Sequence, residues 1–142
     1  MRGAPNRIRF LIGRHLDVYL QDLGMCRLVL SELRPDPALY DDTVRALNRR
    51  YTNIALDVIR EGIEAGELRR ELAAPVLRDL IFGGIEHALW RFVNTGDRAG
   101  IDALGEQLAD LLLRGAEAER EAPVVTRLER VAASLERAAS GG

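Results

Sequence analysis

The sequence holds few side chains whose types and spacing suit catalysis or metal binding. His15 and His87 lie far apart along the chain, and the HExxH spacing that places two zinc ligands on one helix face is absent. Glu86 and His87 are neighbours, but on a helix adjacent side chains point about 100° apart and make a poor acid–base pair. Cys26 is the only cysteine, which excludes an internal disulfide and a thiolate metal cluster, and we expect an inert buried thiol. We therefore expect no catalytic residue, no metal and no cofactor.

The composition is that of a folded domain without a basic surface for nucleic acid. The 142 residues are 47% hydrophobic and 30% charged, and the formal net charge is −2. Arg14, His15 and Asp17 interrupt any signal-peptide core near the N-terminus, and the longest apolar stretch, residues 80–85, is too short to cross a bilayer. These features favour a soluble cytoplasmic protein with no membrane partner.

Helical periodicity, divided by prolines and glycines, runs through the whole chain. Apolar residues recur three or four positions apart, and no run of alternating β-branched residues indicates a strand. The helical segments are 6–22, 24–33, 37–65, 73–95, 100–118 and 123–139. We predict an all-α bundle of about five to six helices, with residues 1–118 as the main domain and residues 119–142 as an additional C-terminal helix with a flexible end.

The last segment carries a heptad-like apolar stripe of Val124, Leu128, Val131, Leu135 and Ala138. Such a stripe indicates docking on the body of the domain or on a partner subunit. A frayed terminal helix is the alternative, and the sequence leaves both open.

The stretch IREGIEAGELRRELA, residues 59–73, places glycines at 62 and 66 in otherwise helical sequence. An interior glycine costs about 1 kcal/mol relative to alanine, so two of them four apart indicate a deliberate stop. We predict that the long third helix runs to Ala65 and that Gly66 takes the left-handed conformation that closes it. Gly62, one turn earlier, is expected to allow close approach of a neighbouring segment.

The fourth segment is expected to pack on two sides. Its apolar residues cover an arc of roughly 160°, wider than the stripe of an ordinary surface helix. The opposite face holds Leu80, Gly83, Gly84, His87, Trp90 and Arg91. This second face indicates contact with another subunit. The glycine pair would approach that subunit or, alternatively, pack against the fifth segment of its own chain.

Three phrases of the sequence, IREGIEAGELR, LIFGGIEHALWRFV and LGEQLADLLLRGA, carry a family resemblance in their order, spacing and composition. Together they resemble the C-terminal half of a TetR-family transcriptional regulator, over about residues 7–116. The segment GMCRLVLSELRPDP is similar to the short helix and loop that precede the family's long helix. Family members begin with a helix-turn-helix unit that this sequence does not show, so we expect DNA binding only where the native protein carries that unit.

The resemblance implies a domain that encloses a pocket for a small, mostly apolar effector. By helical phase, the residues expected to face the pocket are Phe10, Tyr19, Met25, Val29, Tyr51, Ile54, Val58, Ile81 and Ile85. Tyr51 is the strongest of them, because a buried phenol needs a partner, which a ligand or a backbone carbonyl would supply. For each residue the alternative is simple core packing. An acyl-CoA head group is a further option for the effector, held by Arg27, Arg91 or one of the arginine pairs 49–50 and 69–70.

The resemblance also implies a homodimer built from the fourth and fifth helices. The expected interface residues are Leu80, Gly83, Gly84, His87, Trp90, Leu108 and Leu112. The competing function is a helical dimerisation or adaptor module with a filled core and no ligand. A helical-bundle enzyme is a third class, for which the sequence offers no catalytic constellation.

Overall fold

Six α-helices make up most of the part of the chain that the structure describes. The computed structural model describes residues 2–33, 35–39, 41–118 and 124–140. The helices are α1 (Ala4–Gln21), α2 (Leu23–Leu28), α3 (Asp42–Glu64), α4 (Ala74–Thr95), α5 (Arg98–Ala116) and α6 (Val124–Ser140), with a π-helical turn at Val29–Leu33 and a 3₁₀ turn at Pro37–Leu39. The all-α prediction is confirmed. The predicted break after residue 118 and the last two residues lie outside the described residues.

The start of α3 differs from the prediction that this helix opens at Pro37. A 3₁₀ turn occupies Pro37–Leu39, and α3 begins only at Asp42. Asp41 is the N-cap residue, and its Oδ1 accepts a hydrogen bond from the backbone N–H of Val44 at 2.9 Å. An aspartate cap satisfies one of the free N–H groups of a first helical turn, so capping chemistry set this boundary.

The glycines of the IREGIEAGELRRELA stretch have the roles that the sequence predicts. Gly66 has a φ of 73° and follows the C-terminal end of α3 in the left-handed region. A Cβ added to Gly62 would lie 2.5 Å from the Cβ of Ala4 and 2.9 Å from Cδ1 of Leu68. Gly62 therefore allows α1 and the chain after α3 to approach the last turn of α3 closely.

This stretch also holds the beginning of α1 and the end of α5 together. The Glu67 carboxylate accepts a hydrogen bond from the backbone N–H of Ala4, in the first turn of α1, and Arg7 forms an ion pair with Glu61. On the other side, Arg69 N–H donates to the carbonyl of Ala116 at 2.9 Å. The stretch is therefore a junction of three helix ends, which we call the α1–α3–α5 junction.

Helix α4 lies against α1, α2, α3 and α5 and carries much of the core. Its inner face buries Leu77, Ile81, Ile85, Ala88, Leu89 and Phe92. Helix α5 completes the core with Ile101, Ala109 and Leu113. Among the described residues, no helix is both long and apolar enough to cross a membrane.

Helix α6 contributes nothing to this core. None of its described residues is buried, and the large apolar side chains of its predicted stripe, Val124, Leu128, Val131 and Leu135, are all exposed. The stripe is thus present as an amphipathic face, but within one chain it does not dock on the body.

Removing α6 is expected to leave the stability of the remaining domain nearly unchanged. A chain that ends at Ala118 should have a free energy of unfolding within about 0.5 kcal/mol of the full chain, because no side chain of α6 is buried. Urea unfolding followed by circular dichroism measures this difference. A loss of more than about 1 kcal/mol would instead show that α6 docks on the body or on a second subunit.

Candidate functional site

A cleft opens where the first half of α3 lies beside α1 and α4. The apolar row of α3 is exposed at Leu47, Tyr51 and Ile54 and becomes buried only from Ala55 onward, at Val58 among others. The N-terminal half of α3 therefore leaves apolar side chains uncovered beside the core, and two of them, Tyr51 and Ile54, form one wall of the cleft.

Four rings from three helices meet in the middle of this cleft. His15 and Tyr19 come from α1, Tyr51 from α3 and Phe82 from α4. The ring centroid of His15 lies 5.0 Å from that of Tyr19, 4.9 Å from that of Tyr51 and 5.4 Å from that of Phe82. Tyr51 and Phe82 are 5.5 Å apart, and Tyr51 Oη shares a hydrogen bond of 3.2 Å with His15 Nε2. Tyr51 thus has a side-chain partner on another helix, rather than a backbone carbonyl.

On one side of the rings is an apolar cavity of about 160 Å³. Its lining residues are Leu11, Arg14, His15, Val18, Tyr51, Ile54, Ala55, Phe82 and Ile85. Arg14 is the only residue among them that carries a permanent charge, and its guanidinium lies 3.5 Å from the carboxylate of Asp17. We call this cavity the apolar lobe. Its apolar lining suits an alkyl chain, and the Arg14–Asp17 ion pair lies beside it.

On the other side of the rings is a smaller cavity of about 50 Å³, which we call the polar lobe. Its lining residues are His15, Tyr19, Val29, Leu30, Asn48, Tyr51, Phe82, Glu86 and Leu89. Val29 and Leu30 open the π-helical turn, an irregularity that is frequent at functional sites. The Glu86 carboxylate and the Asn48 amide make this lobe unfavourable for an anion and less favourable than the apolar lobe for an alkyl chain.

The structure brings together five of the nine residues that the sequence places at a pocket. Tyr19, Val29, Tyr51, Ile54 and Ile85 each line one or both lobes.

The other four predicted pocket residues line neither lobe. Val58 and Ile81 are buried in the core, and Met25 is partly exposed on α2. Phe10 lies on a separate hollow with Arg9 and Glu106. At 100° per residue Phe10 and Tyr19 point about 180° apart on α1, so they could not both line one pocket.

His15, Phe82 and Arg14 line the lobes but are not among the pocket residues predicted from the sequence. His15 carried no sign of function, because its partner Tyr51 is remote in sequence and the contact depends on how α1 and α3 are aligned. Phe82 lies within the broad apolar arc of α4, where it could not be told from a core residue. The helical phase of α1 was the available signal, since Leu11, Arg14, His15 and Val18 are spaced three, one and three apart on one face.

The outer face of α4 carries residues that line neither lobe, although the groove beside it shares Leu30 and Glu86 with the polar lobe. Leu80 and Trp90 are exposed there, together with Gly83 and His87. With Leu30, Pro35 and Glu86, three of these residues line an open groove of about 540 Å³.

The glycine pair of α4 is divided between two environments. A Cβ on Gly84 would lie 2.7 Å from Cδ1 of Leu108, so Gly84 allows α4 and α5 of the same chain to pack closely. A Cβ on Gly83 would meet nothing within 4 Å. Leu108 and Leu112 pack on the core of their own chain. The contact with α5 that the sequence left as an alternative therefore holds for Gly84, whereas only Gly83 faces outward.

Among the described residues, neither the cysteine nor the possible metal ligands form a second candidate site. Cys26 is buried, and desolvation raises the pKa of its thiol above the ordinary value, against the opposing charge of Arg27. Less thiolate is then present at neutral pH, which makes Cys26 a poor nucleophile. Within the described ranges, no group of three or more His, Cys, Asp or Glu side chains is placed to hold a metal ion.

Comparisons with known proteins agree on the architecture. Residues 2–116 match the family described as tetracyclin repressor-like, C-terminal domain. The chain is 24% identical over 112 residues to the fatty acid metabolism regulator protein of Bacillus subtilis (strain 168), a match that covers 79% of this chain and 58% of the relative. The crystal structure of the transcriptional regulator FadR from Bacillus subtilis in complex with stearoyl-CoA has the same fold, with a TM-score of 0.72 and 24% identity over 81% of this chain and 62% of that one. The chain thus spans about three fifths of the length of these relatives.

Proposed function

The chain belongs to the tetracyclin repressor-like C-terminal domain family, and from this premise we propose that it is a homodimeric sensing domain whose cleft binds a fatty acyl effector such as an acyl-CoA. Membership confirms the resemblance read from the sequence, and the family is one of transcriptional regulators. The observation that carries the proposal is the apolar lobe with Arg14 beside it, in a fold shared with a protein crystallised with stearoyl-CoA.

The lobe matches the chemistry of an acyl thioester in two respects. Each methylene that leaves water for an apolar site contributes about 0.8 kcal/mol, so a lobe lined by Leu11, Val18, Ile54 and Ile85 favours an alkyl chain. The phosphates of coenzyme A carry negative charge, and Arg14 is a cation at the edge of that lobe. Of the arginines, Arg14 lines the apolar lobe, whereas Arg27, Arg91 and the pairs 49–50 and 69–70 do not.

The proposed mechanism is a population shift. The cleft is built from α1, α3 and α4, so a ligand that prefers one spacing of these helices shifts the domain toward that spacing. The α1–α3–α5 junction fixes the N-terminal end of α1, while the cleft lies further along the same helix. A change at the cleft would therefore alter the angle of α1 relative to its fixed end.

Stearoyl-CoA is expected to bind this chain and to raise its unfolding temperature. At a free concentration of 100 times Kd the stabilisation would be about 2.7 kcal/mol, roughly 8 °C for a domain of this size. Calorimetric titration and a thermal melt measure the two effects, with coenzyme A alone as the ligand control. A folded chain that is not stabilised by stearoyl-CoA would contradict the proposed effector class.

A pair of α3 variants locates the binding. Ile54→Asp places a charge in the apolar lobe, whereas Leu47→Asp changes an exposed residue of the same helix that lines neither lobe. The first variant should bind stearoyl-CoA at least tenfold more weakly and the second should not, because an unpaired charge is costly to desolvate beside an alkyl chain.

One observation favours the competing function, a dimerisation or adaptor module without a ligand. Cavities of about 160 and 50 Å³ are smaller than the 300–1,000 Å³ of common ligand pockets. An adaptor would show the dimer without any acyl-CoA binding, so the same titration separates the two functions.

DNA binding is expected only of a protein that carries a helix-turn-helix unit in addition to these residues. The formal charge of −2 gives the chain no excess of positive charge for a phosphate backbone. That the domain itself is not an enzyme and acts in the cytoplasm stays a prediction, as do the effector and the dimer.

A further inference from the structure

We propose that the rings of His15, Tyr51 and Phe82 form a wall that sets the acyl-chain length the cleft accepts without rearrangement. This inference rests on the proposed function and adds that the site distinguishes ligands by the length of their acyl chain. Among the residues that the structure describes, only these three line both lobes.

A single layer of side chains therefore separates the apolar lobe from the polar lobe. The rings come from three helices and hold one another by contacts of 4.9–5.5 Å between ring centroids. The Tyr51–His15 hydrogen bond of 3.2 Å joins α3 to α1 within this layer. A ligand in the apolar lobe meets this wall before it can reach the polar lobe.

Because the apolar lobe is small, the wall limits the length of the acyl chain that fits in it. The lobe volume of about 160 Å³ is about half of the ~300 Å³ at the lower end of common ligand pockets, so an acyl chain on the order of six carbons fills the lobe as it stands. A longer chain must displace the rings, and its further methylenes then enter a lobe lined by Asn48 and Glu86.

Displacing the three rings costs free energy, which the binding of the ligand must offset. Parting the rings breaks the Tyr51–His15 hydrogen bond and the ring contacts, so the open state is a minor population of the free chain. The apparent affinity of a long chain is lowered by that fraction, whereas a chain that stops at the wall does not bear the cost. The wall thereby makes chain length, rather than the presence of an acyl group, the variable that moves α1 relative to α3.

The test is a calorimetric series with butyryl-, hexanoyl-, octanoyl-, dodecanoyl- and stearoyl-CoA. Affinity should rise about fourfold per methylene up to about six carbons and by less than twofold per methylene immediately beyond. Tyr51→Phe keeps the ring but removes the hydrogen bond, so the ratio of long-chain to short-chain affinity should rise about 2- to 10-fold. Phe82→Leu should move the break to longer chains, because it thins the wall from the α4 side.

Leu47→Ala is the matched control, since Leu47 lies one turn before Tyr51 on α3 and lines neither lobe. It should reproduce the break of the unaltered chain, and circular dichroism establishes that each variant is folded. A constant gain per methylene through all lengths would overturn the wall, as would an equal effect of Tyr51→Phe on every length. If no acyl-CoA of any length binds, the proposed function itself fails, and the wall proposal falls with it.

Discussion

Replacing Leu68 with alanine is expected to lower the free energy of unfolding by about 2–5 kcal/mol. Leu68 belongs to no helix, yet its exposed fraction is 0%. It lies at the α1–α3–α5 junction, where its Cδ1 would be 2.9 Å from a Cβ on Gly62. The substitution removes three side-chain carbon atoms from a place where three helix ends converge.

The cost should fall in the upper part of that range, because the site cannot collapse easily. Leu68 N–H donates to the carbonyl of Gly62 at 3.0 Å, and Leu68 forms an isolated β-bridge with Glu117. These backbone bonds hold the segment in place after the side chain is gone. A cavity that its surroundings cannot fill retains its full energetic cost.

Urea unfolding followed by circular dichroism provides the measurement, with Leu47→Ala as the control. Leu47 is 60% exposed, so the same chemical change there should alter the free energy of unfolding by no more than about 0.5 kcal/mol. A loss below about 1 kcal/mol for Leu68→Ala would mean that the junction is not part of the cooperative core.

The ends of the helices could be predicted because local chemistry determines them. Gly66 is in the left-handed region, where a residue with a side chain is strained, so the sequence marks the end of α3 directly. The error at the start of α3 has the same kind of cause. Pro37 and Asp41 both suit a helix start, and only the cap formed by Asp41 shows which of them opens the long helix.

The cleft could be predicted only in part, because it depends on how whole helices are aligned. Periodicity identifies the row of α3 that contains Tyr51 and Ile54, but not where along α3 the neighbouring helices stop covering that row. The division of the glycine pair is another example. Gly83 and Gly84 differ by 100° in phase, which is enough for one to contact Leu108 and the other to face outward.

The outer face of α4 supports the second prediction, which concerns the proposed dimer. Val76, Leu80, Gly83, His87 and Trp90 are spaced four, three, four and three apart, and all are exposed in the single chain. Trp90 is 45% exposed and Leu80 54% exposed, while the other face of the same helix fills the core. Exposed apolar residues grouped on one face are typical of a protein–protein contact.

Trp90→Ala is expected to weaken the dimer by about 1,000-fold. Tryptophan is among the residues that dominate interface energetics, and truncation of such a residue costs about 2 kcal/mol or more. In a two-fold dimer each substitution occurs twice, because the same patch of both subunits forms the contact. The total of about 4 kcal/mol corresponds to nearly three orders of magnitude in Kd.

Sedimentation equilibrium of the unaltered chain, Trp90→Ala and Leu47→Ala measures this change. The unaltered chain and Leu47→Ala should sediment at twice 15.8 kDa, and Trp90→Ala at 15.8 kDa over the same range of concentration. The Leu47 control is informative because this side chain is even more exposed than Trp90 but lies on α3, away from the outer face of α4. A dimer that survives Trp90→Ala unchanged would place the contact elsewhere, and the exposed stripe of α6 would then be the next surface to alter.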